Sequence, residues 1–177
     1  MKTMPEAVTF SRMLADDMLE IERQPSQARV LGAHPDDIDA DTAEVLASQP
    51  AAWAGRQGGR LVALLGIGEH HPGAHGVAWA ILAPHLGSAH LAVTRKAREI
   101  VWQSGLNRVE LIARAADTPF HLRRDRADMR WALDAKRITP ECRWALMLGF
   151  TAAHLMHGYG PDCEAHMLFE WFGGQHG

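Results

Sequence analysis

The sequence is poor in cysteine and tyrosine, and it has no long apolar run. Its 177 residues include two cysteines, Cys142 and Cys163, and one tyrosine. Two cysteines form at most one disulfide, too few for the framework of a small secreted domain, so we expect both thiols to be reduced. No apolar run approaches the roughly 20 residues that a membrane-spanning helix needs, and the first six residues lack the apolar core of a signal peptide. These absences predict a protein of the cytoplasm, or of a particle assembled there.

An excess of charge of one sign is also missing. The chain has 18 lysines and arginines against 21 aspartates and glutamates, which gives a formal net charge of −3. Proteins that bind nucleic acid usually concentrate basic residues on one face, so we do not expect a nucleic-acid partner. The composition, with 47% hydrophobic and 22% charged residues, is typical of a globular protein. We therefore treat residues 1–177 as a single domain.

The spacing of apolar residues predicts seven strands and four helices. Alternation or continuous apolar runs predict strands at residues 7–12, 51–56, 60–69, 77–82, 106–114, 151–157 and 163–172. A helical repeat predicts helices at residues 13–23, 36–48, 88–104 and 141–148. The order is β-α-α-β-β-β-α-β-α-β-β, which predicts an α/β (α+β) fold with a mixed β-sheet and helices on both faces. Gly149 lies where a left-handed residue ends the last helix.

Three of these pieces resemble the GNAT (Gcn5-related N-acetyltransferase) superfamily in sequence as well as in order. Residues 61–68 are similar to its third strand. Residues 77–82 and the helix 88–104 are similar to the strand and helix that face its cofactor. The segment 143–150 ends in Leu-Gly-Phe, which resembles the family's helix end. The resemblance implies the GNAT fold for most of the chain, with an insertion at about residues 117–139.

The resemblance also implies a binding site for acetyl-CoA after the fourth strand. The family holds the CoA pyrophosphate on backbone amides in a glycine-rich loop at the start of the following helix, where helix dipoles favour anions. Here that loop has only Gly87, and Pro84 lacks an N–H group. If CoA binding is retained, the resemblance assigns it to four residues. They are Ile81, Leu82, Gly87 and Ser88.

The catalytic residues that the resemblance implies are incomplete. The family commonly has a tyrosine four residues before the glycine of the helix end, which protonates the leaving thiolate; Ala145 stands at that position. Glu69, at the end of a strand, and Glu110, within another, are the candidates for a general base. Because two expected parts are absent, the sequence favours a degenerate site with no cofactor and no activity.

Within the superfamily, the chain is most similar to acetyltransferase-like proteins of tailed bacteriophages. Segments 15–21, 62–67 and 78–82 carry this similarity. It predicts a structural or assembly component of the virion, found in the virion or the host cytoplasm, which binds other phage structural proteins or a second copy of itself. The alternative is an acetyl-CoA-dependent N-acetyltransferase that acts on a small amine or on a protein.

The insertion is the candidate surface for a partner. It is rich in arginine with interspersed aspartate, and we expect a short helix at 129–136 within it. Aromatic residues and arginines dominate the energy of many interfaces, whereas a solvated, self-paired loop is the simpler alternative. The predicted docking residues are Phe120, Arg123, Arg124, Met129, Arg130 and Trp131.

Two histidine-containing segments have residue types that can bind a metal ion. His34, Asp36 and Asp37 resemble the zinc motif of LmbE-like deacetylases, but the flanking residues favour a helix start with an aspartate cap. His70, His71 and His75 lie close to Glu69, and a histidine-bearing hairpin loop is the favoured interpretation. We therefore predict no metal site.

Overall fold

The computed structural model describes residues 6–24, 27, 38–84, 86–122 and 127–173, except for the side chain of Phe120. The chain divides into two compact units, Met1–Gly105 and Leu106–Gly177. No helix in the described ranges is long and apolar enough to cross a bilayer. The prediction of a single domain stays a prediction.

The first unit contains four strands and three α-helices within its described residues. The strands are β1 (Val8–Arg12), β2 (Trp53–Gln57), β3 (Arg60–His71) and β4 (His75–Leu82). The helices are α1 (Ala15–Glu20), α2 (Ala40–Ala47) and α3 (His90–Trp102). The strands pair antiparallel in chain order.

Helices cover both faces of this first sheet. Trp79 of β4 and its cross-strand partner Gly66 lie on one face, where the Trp79 indole N–H donates to Oε1 of Gln49, just after α2, at 2.8 Å. Trp53 lies on the opposite face, and Nζ of Lys96 in α3 is 3.8 Å from its ring centroid. Seven successive residues of β3 are buried, as a strand covered on both faces requires.

A buried carboxylate joins α1 to β2. Asp17 accepts a hydrogen bond from the Leu14 N–H at the start of α1, at 2.8 Å. The same carboxylate forms an ion pair with Arg56 of β2. Because an unpaired charge is costly to bury, these two partners are what allow Asp17 to lie in the core.

The second unit contains three strands and two α-helices within its described residues. They are β5 (Arg108–Arg114), α4 (Ala127–Ala132), α5 (Pro140–Met147), β6 (Thr151–Met156) and β7 (His166–Phe172). Strand β7 pairs antiparallel with both β5 and β6. Val109, Leu111 and Ala113 are buried on one face of β5, as their alternation predicted, and α5 packs against this strand and β6.

The α/β class and the predicted order of strands and helices are confirmed, with α4 as an addition inside the insertion. Helix α5 begins after Thr139, whose Oγ1 accepts the Cys142 N–H at 3.2 Å, and Gly149 has the predicted left-handed conformation, with φ of 96°. The short helix expected at 129–136 lies instead at Ala127–Ala132.

Other boundaries also differ from the sequence prediction, including two next to the candidate site. Residues 70–76 were predicted as a loop, but β3 continues to His71 and β4 begins at His75. A register shift between Glu69 and His71 accommodates one extra residue, so that His71 still pairs with His75. The helix predicted from Ser88 begins as a 3₁₀ turn, Gly87–Ala89, before α3.

Candidate functional site

The connection between β4 and α3 has a geometry suited to anions. Leu86 is in the right-handed helical region, with φ of −51° and ψ of −33°, and Gly87 follows with a positive φ of 48°. In other proteins, an alternation of this kind turns successive backbone N–H groups toward one point and makes a concavity that binds anions. The turn formed by Leu86 and Gly87 stands at the N-terminal end of α3, where the helix dipole also favours negative charge.

The space above this turn is open. A Cβ atom added to Gly87 would meet nothing within 4 Å, and Gly87 and Ser88 are both exposed. The Ser88 hydroxyl accepts a hydrogen bond from Nε2 of Gln57 at 3.2 Å, which leaves its own proton available for an acceptor. Pro84 precedes the turn, so its missing N–H does not remove a donor from residues 86–88.

The end of β4 is covered by two glutamines that the sequence analysis did not single out. Nε2 of Gln27 donates to the Ala80 carbonyl at 3.0 Å, and Oε1 of Gln27 accepts the Leu82 N–H at 2.8 Å. The Gln24 N–H donates to the Leu82 carbonyl at 3.0 Å. Of the predicted cofactor residues, Ile81 and Leu82 are buried here, in the strand that leads to Gly87.

Glu69 is positioned to stabilise a turn. It is exposed at the end of β3, and its Oε2 accepts the Gly73 N–H at 2.9 Å. Through this hydrogen bond the carboxylate stabilises the hairpin in which it lies. Glu69 therefore has a structural role that does not depend on a substrate.

Glu110 lies in a network of charges on the sheet of the second unit. It is the cross-strand partner of Glu170, and both side chains are about one-fifth exposed, at 19% and 22%. Arg108 contacts both carboxylates, at 2.5 Å to Oε1 of Glu110. Two carboxylates in this arrangement require such a cation, because like charges directly opposite each other are destabilising.

No hydroxyl stands where the family's tyrosine does. Ala145 is fully buried in α5, so it supplies neither a proton nor a polar contact. Tyr159 is 55% exposed, after β6, and its ring centroid lies 5.4 Å from that of His166. Cys142 is also buried, and burial raises the pKa of its thiol, which disfavours the thiolate that a nucleophile requires.

Asp128 of the insertion contacts His157, which follows β6. His157 Nε2 lies 2.8 Å from Oδ2 of Asp128, and the Met129 N–H donates to Oδ1 at 2.7 Å. Burial raises the pKa of Asp128, but these hydrogen bonds lower it by more, so the pKa of the carboxyl lies below its ordinary value. Sequence reasoning missed this pair because its members are 29 positions apart and share no periodic pattern.

The predicted docking residues that the structure describes differ in how exposed they are. Arg130 of α4 is exposed and Met129 is half-buried. Trp131 is half-buried beneath Arg137, whose guanidinium carbon is 4.6 Å from the ring centroid. Arg123, Arg124 and the side chain of Phe120 lie outside the described residues. A docking role for this surface stays a prediction.

Of the two histidine-containing segments, the structure describes only the one around His70, His71 and His75. His34, Asp36 and Asp37 lie outside the described residues. The ring of His75 is 5.8 Å from that of His70 and 6.1 Å from that of His71, between centroids. Across the described residues, no three His, Cys, Asp or Glu side chains are grouped to hold a metal ion.

Comparison with known proteins identifies the fold. No protein-family model matches the chain, and no curated protein sequence matches it either. Solved structures do match over nearly its whole length. The aminoglycoside 6′-N-acetyltransferase of Enterococcus faecium superposes with a TM-score of 0.69 at 13% identity, and covers 93% of this chain and 96% of its own.

Two further structures give the same result. An aminoglycoside 6′-N-acetyltransferase complexed with coenzyme A has a TM-score of 0.67 at 12% identity, with the same coverage of 93% and 96%. The ribosomal-protein-S18-alanine N-acetyltransferase of Escherichia coli has a TM-score of 0.60 at 14% identity and covers 96% of each chain. The chain therefore has the GNAT fold.

Proposed function

We propose that the protein binds acetyl-CoA and transfers the acetyl group to an amine. The observation that carries this proposal is the turn between β4 and α3, where right-handed Leu86 precedes Gly87 with its positive φ. A phosphate group is the natural ligand of such a turn at a helix N-terminus. CoA carries a diphosphate in the middle of its structure.

The residues present fit this cofactor better than the sequence alone indicated. The exposed Gly87 has open space where a side chain would stand, so a phosphate can approach the backbone closely. The Ser88 hydroxyl retains a proton to donate. The loss of further glycines from the family pattern matters less than expected, because the one that remains adopts the conformation that requires glycine.

Bound acetyl-CoA would supply the acetyl group as a reactive thioester. The chain must then remove a proton from the attacking amine. Glu110 is the better of the two predicted bases, because it is mostly buried and oriented by Arg108, whereas Glu69 is exposed and bonded to its own turn. Ala145 cannot protonate the departing thiolate, so that proton comes from another group or from water.

The similar structures support an amine as the acceptor. One acts on an aminoglycoside and another on the alanine of a ribosomal protein, according to their names. A small amine and a protein amine therefore remain the two acceptor classes for this chain.

Isothermal titration calorimetry with acetyl-CoA and CoA tests the proposal. We expect micromolar binding by the wild type. Ser88→Asp places a negative charge beside the proposed phosphate site and should weaken binding at least about tenfold, equivalent to roughly 1.4 kcal/mol. Gln103→Glu adds the same charge at the exposed C-terminal end of α3 and should leave the affinity within about twofold, a change of roughly 0.4 kcal/mol. No heat at millimolar ligand would overturn the proposal.

A structural role in a phage particle is the second candidate. Its premise is an inactive site, and Ala145, which is fully buried where the family's enzymes commonly have their tyrosine, is the observation that favours that premise. In this case the protein would act through contacts made by the insertion, with Arg130 on its exposed side. Absence of CoA binding together with a stable self-association or co-purifying virion proteins would support this role.

A further inference from the structure

Strand β4 directs alternate backbone groups toward and away from β3. Ala83 donates its N–H to the Val62 carbonyl at 3.0 Å, which fixes the phase of the antiparallel ladder. The backbone N–H and C=O groups of Ile81, which lies two residues before Ala83, therefore also point toward β3. The N–H and C=O groups of Ala80 and Leu82 point in the opposite direction.

Two glutamines bond these outward groups as a neighbouring strand would. The side-chain amide of Gln27 spans Ala80 and Leu82, donating to the first at 3.0 Å and accepting from the second at 2.8 Å. Gln24 bonds the outward Leu82 carbonyl through its backbone N–H at 3.0 Å, and its Nε2 reaches the Ala83 carbonyl, just after β4, at 3.1 Å.

A ligand can replace the hydrogen bonds that Gln27 makes to β4. Buried backbone groups require hydrogen-bond partners, and Leu82 is only 9% exposed, so Gln27 prevents an unpaired N–H group in the free protein. A glutamine held in one conformation loses rotamer freedom, however. An extended ligand with amide groups of its own can take over both hydrogen bonds and release the side chain.

We propose that Gln27 is a built-in competitor for the pantetheine arm of acetyl-CoA. The inference rests on the proposed function, since it takes acetyl-CoA to be the ligand. The pantetheine arm is an extended chain with two amides in series, and so presents both a C=O and an N–H group. The turn that would hold the diphosphate follows β4 closely, so an arm that runs back from it along the strand would reach Ala80 and Leu82.

Binding of the cofactor then requires Gln27 to leave the strand. The affinity for CoA is lowered by the free energy of the two hydrogen bonds that Gln27 gives up, and Gln24 is the next residue to be released.

Calorimetric titration of Gln27→Ala in the full chain with three ligands tests the competition. CoA and pantetheine, which carry the amides, should bind to Gln27→Ala about three- to tenfold more tightly than they bind to the wild type. ADP, which has a diphosphate and no amide arm, should bind with unchanged affinity. Gln103→Ala, an exposed glutamine at the end of α3, serves as the matched control and should change none of the three.

Hydrogen exchange of the Leu82 amide, measured by NMR, provides a readout on the free protein. Without ligand, the exchange should be at least about tenfold faster in Gln27→Ala than in the wild type, because the N–H loses its acceptor. Saturating CoA should restore protection in the variant.

The outcomes separate the two proposals. Wild-type binding of CoA with an unchanged or weaker affinity in Gln27→Ala overturns the competition and leaves the proposed function standing. Equal gains for CoA and ADP also overturn it, because the effect would not depend on the amides. If neither protein binds CoA or pantetheine, the proposed function and the competition fail together.

Discussion

Trp79 packs directly over Gly66, its partner on the neighbouring strand. A Cβ atom at Gly66 would come far closer to the indole ring than real Cβ atoms approach any neighbour. The ring is nevertheless held in place, because its N–H bonds to Gln49 and the side chain is buried. Gly66 is thus required so that Trp79 can lie flat on the sheet.

Gly66→Ala should destabilise the protein by about 1–3 kcal/mol, the usual cost of overpacking a core. Urea unfolding followed by tryptophan fluorescence measures the change. Combining it with Trp79→Leu, which removes the obstructing ring, should make the two effects clearly non-additive. Simple addition of the two single effects would contradict the packing argument.

Thr139→Ala should lower the free energy of unfolding by about 1–2 kcal/mol. The hydroxyl caps α5 by accepting the Cys142 N–H, and it also donates to the Arg114 carbonyl at 2.6 Å. Thr139→Ser keeps the hydroxyl and should stay close to the wild type in the same chemical denaturation experiment. Equal losses in both variants would show that the methyl group, rather than the cap, is important.

Asp128→Asn should reduce the acid sensitivity of the fold. The pKa of Asp128 is depressed in the folded protein, so its stabilising effect is present above the ordinary value of 3.8 and is lost as the pH falls through the lower folded value. The wild type should therefore lose free energy of unfolding more steeply below about pH 4 than the variant, in thermal or urea melts across pH. Asp16→Asn, on the exposed side of α1, is the matched control for the removal of one carboxylate. Identical profiles for all three proteins would exclude the His157 contact as an acid-sensitive element.

Glu110→Gln should decrease kcat about a hundredfold or more if Glu110 is the general base, with a smaller change in KM. The assay would follow CoA release from acetyl-CoA in the presence of an amine that the wild type accepts. Glu69→Gln keeps the acceptor for the Gly73 N–H and should retain nearly full activity. A large loss in Glu69→Gln with normal activity in Glu110→Gln would reverse the assignment.

Much of the architecture follows from local patterns in the sequence. Neighbouring residues encode three of its features. They are the seven consecutive buried residues of β3, the alternation of Val109 and Leu111 in β5, and Gly149 at the end of α5. Apolar periodicity matches the geometry of a strand or helix, and a positive φ selects glycine, so these features need no knowledge of distant contacts. The order of elements and the α/β class could be predicted for this reason, whereas the GNAT fold was implied by the resemblance of particular segments to that superfamily.

The candidate site depends on contacts between distant positions. Gln27 reaches Leu82 across 55 positions, and Arg108 reaches Glu170 across 62. A glutamine or an arginine gives no periodic signal of its partner, because one polar side chain can bond to many groups and the choice depends on what the fold brings near. The turn at Gly87 is similar: its glycine is visible in the sequence, but its conformation and open surroundings were decided only by the packing of the tertiary structure.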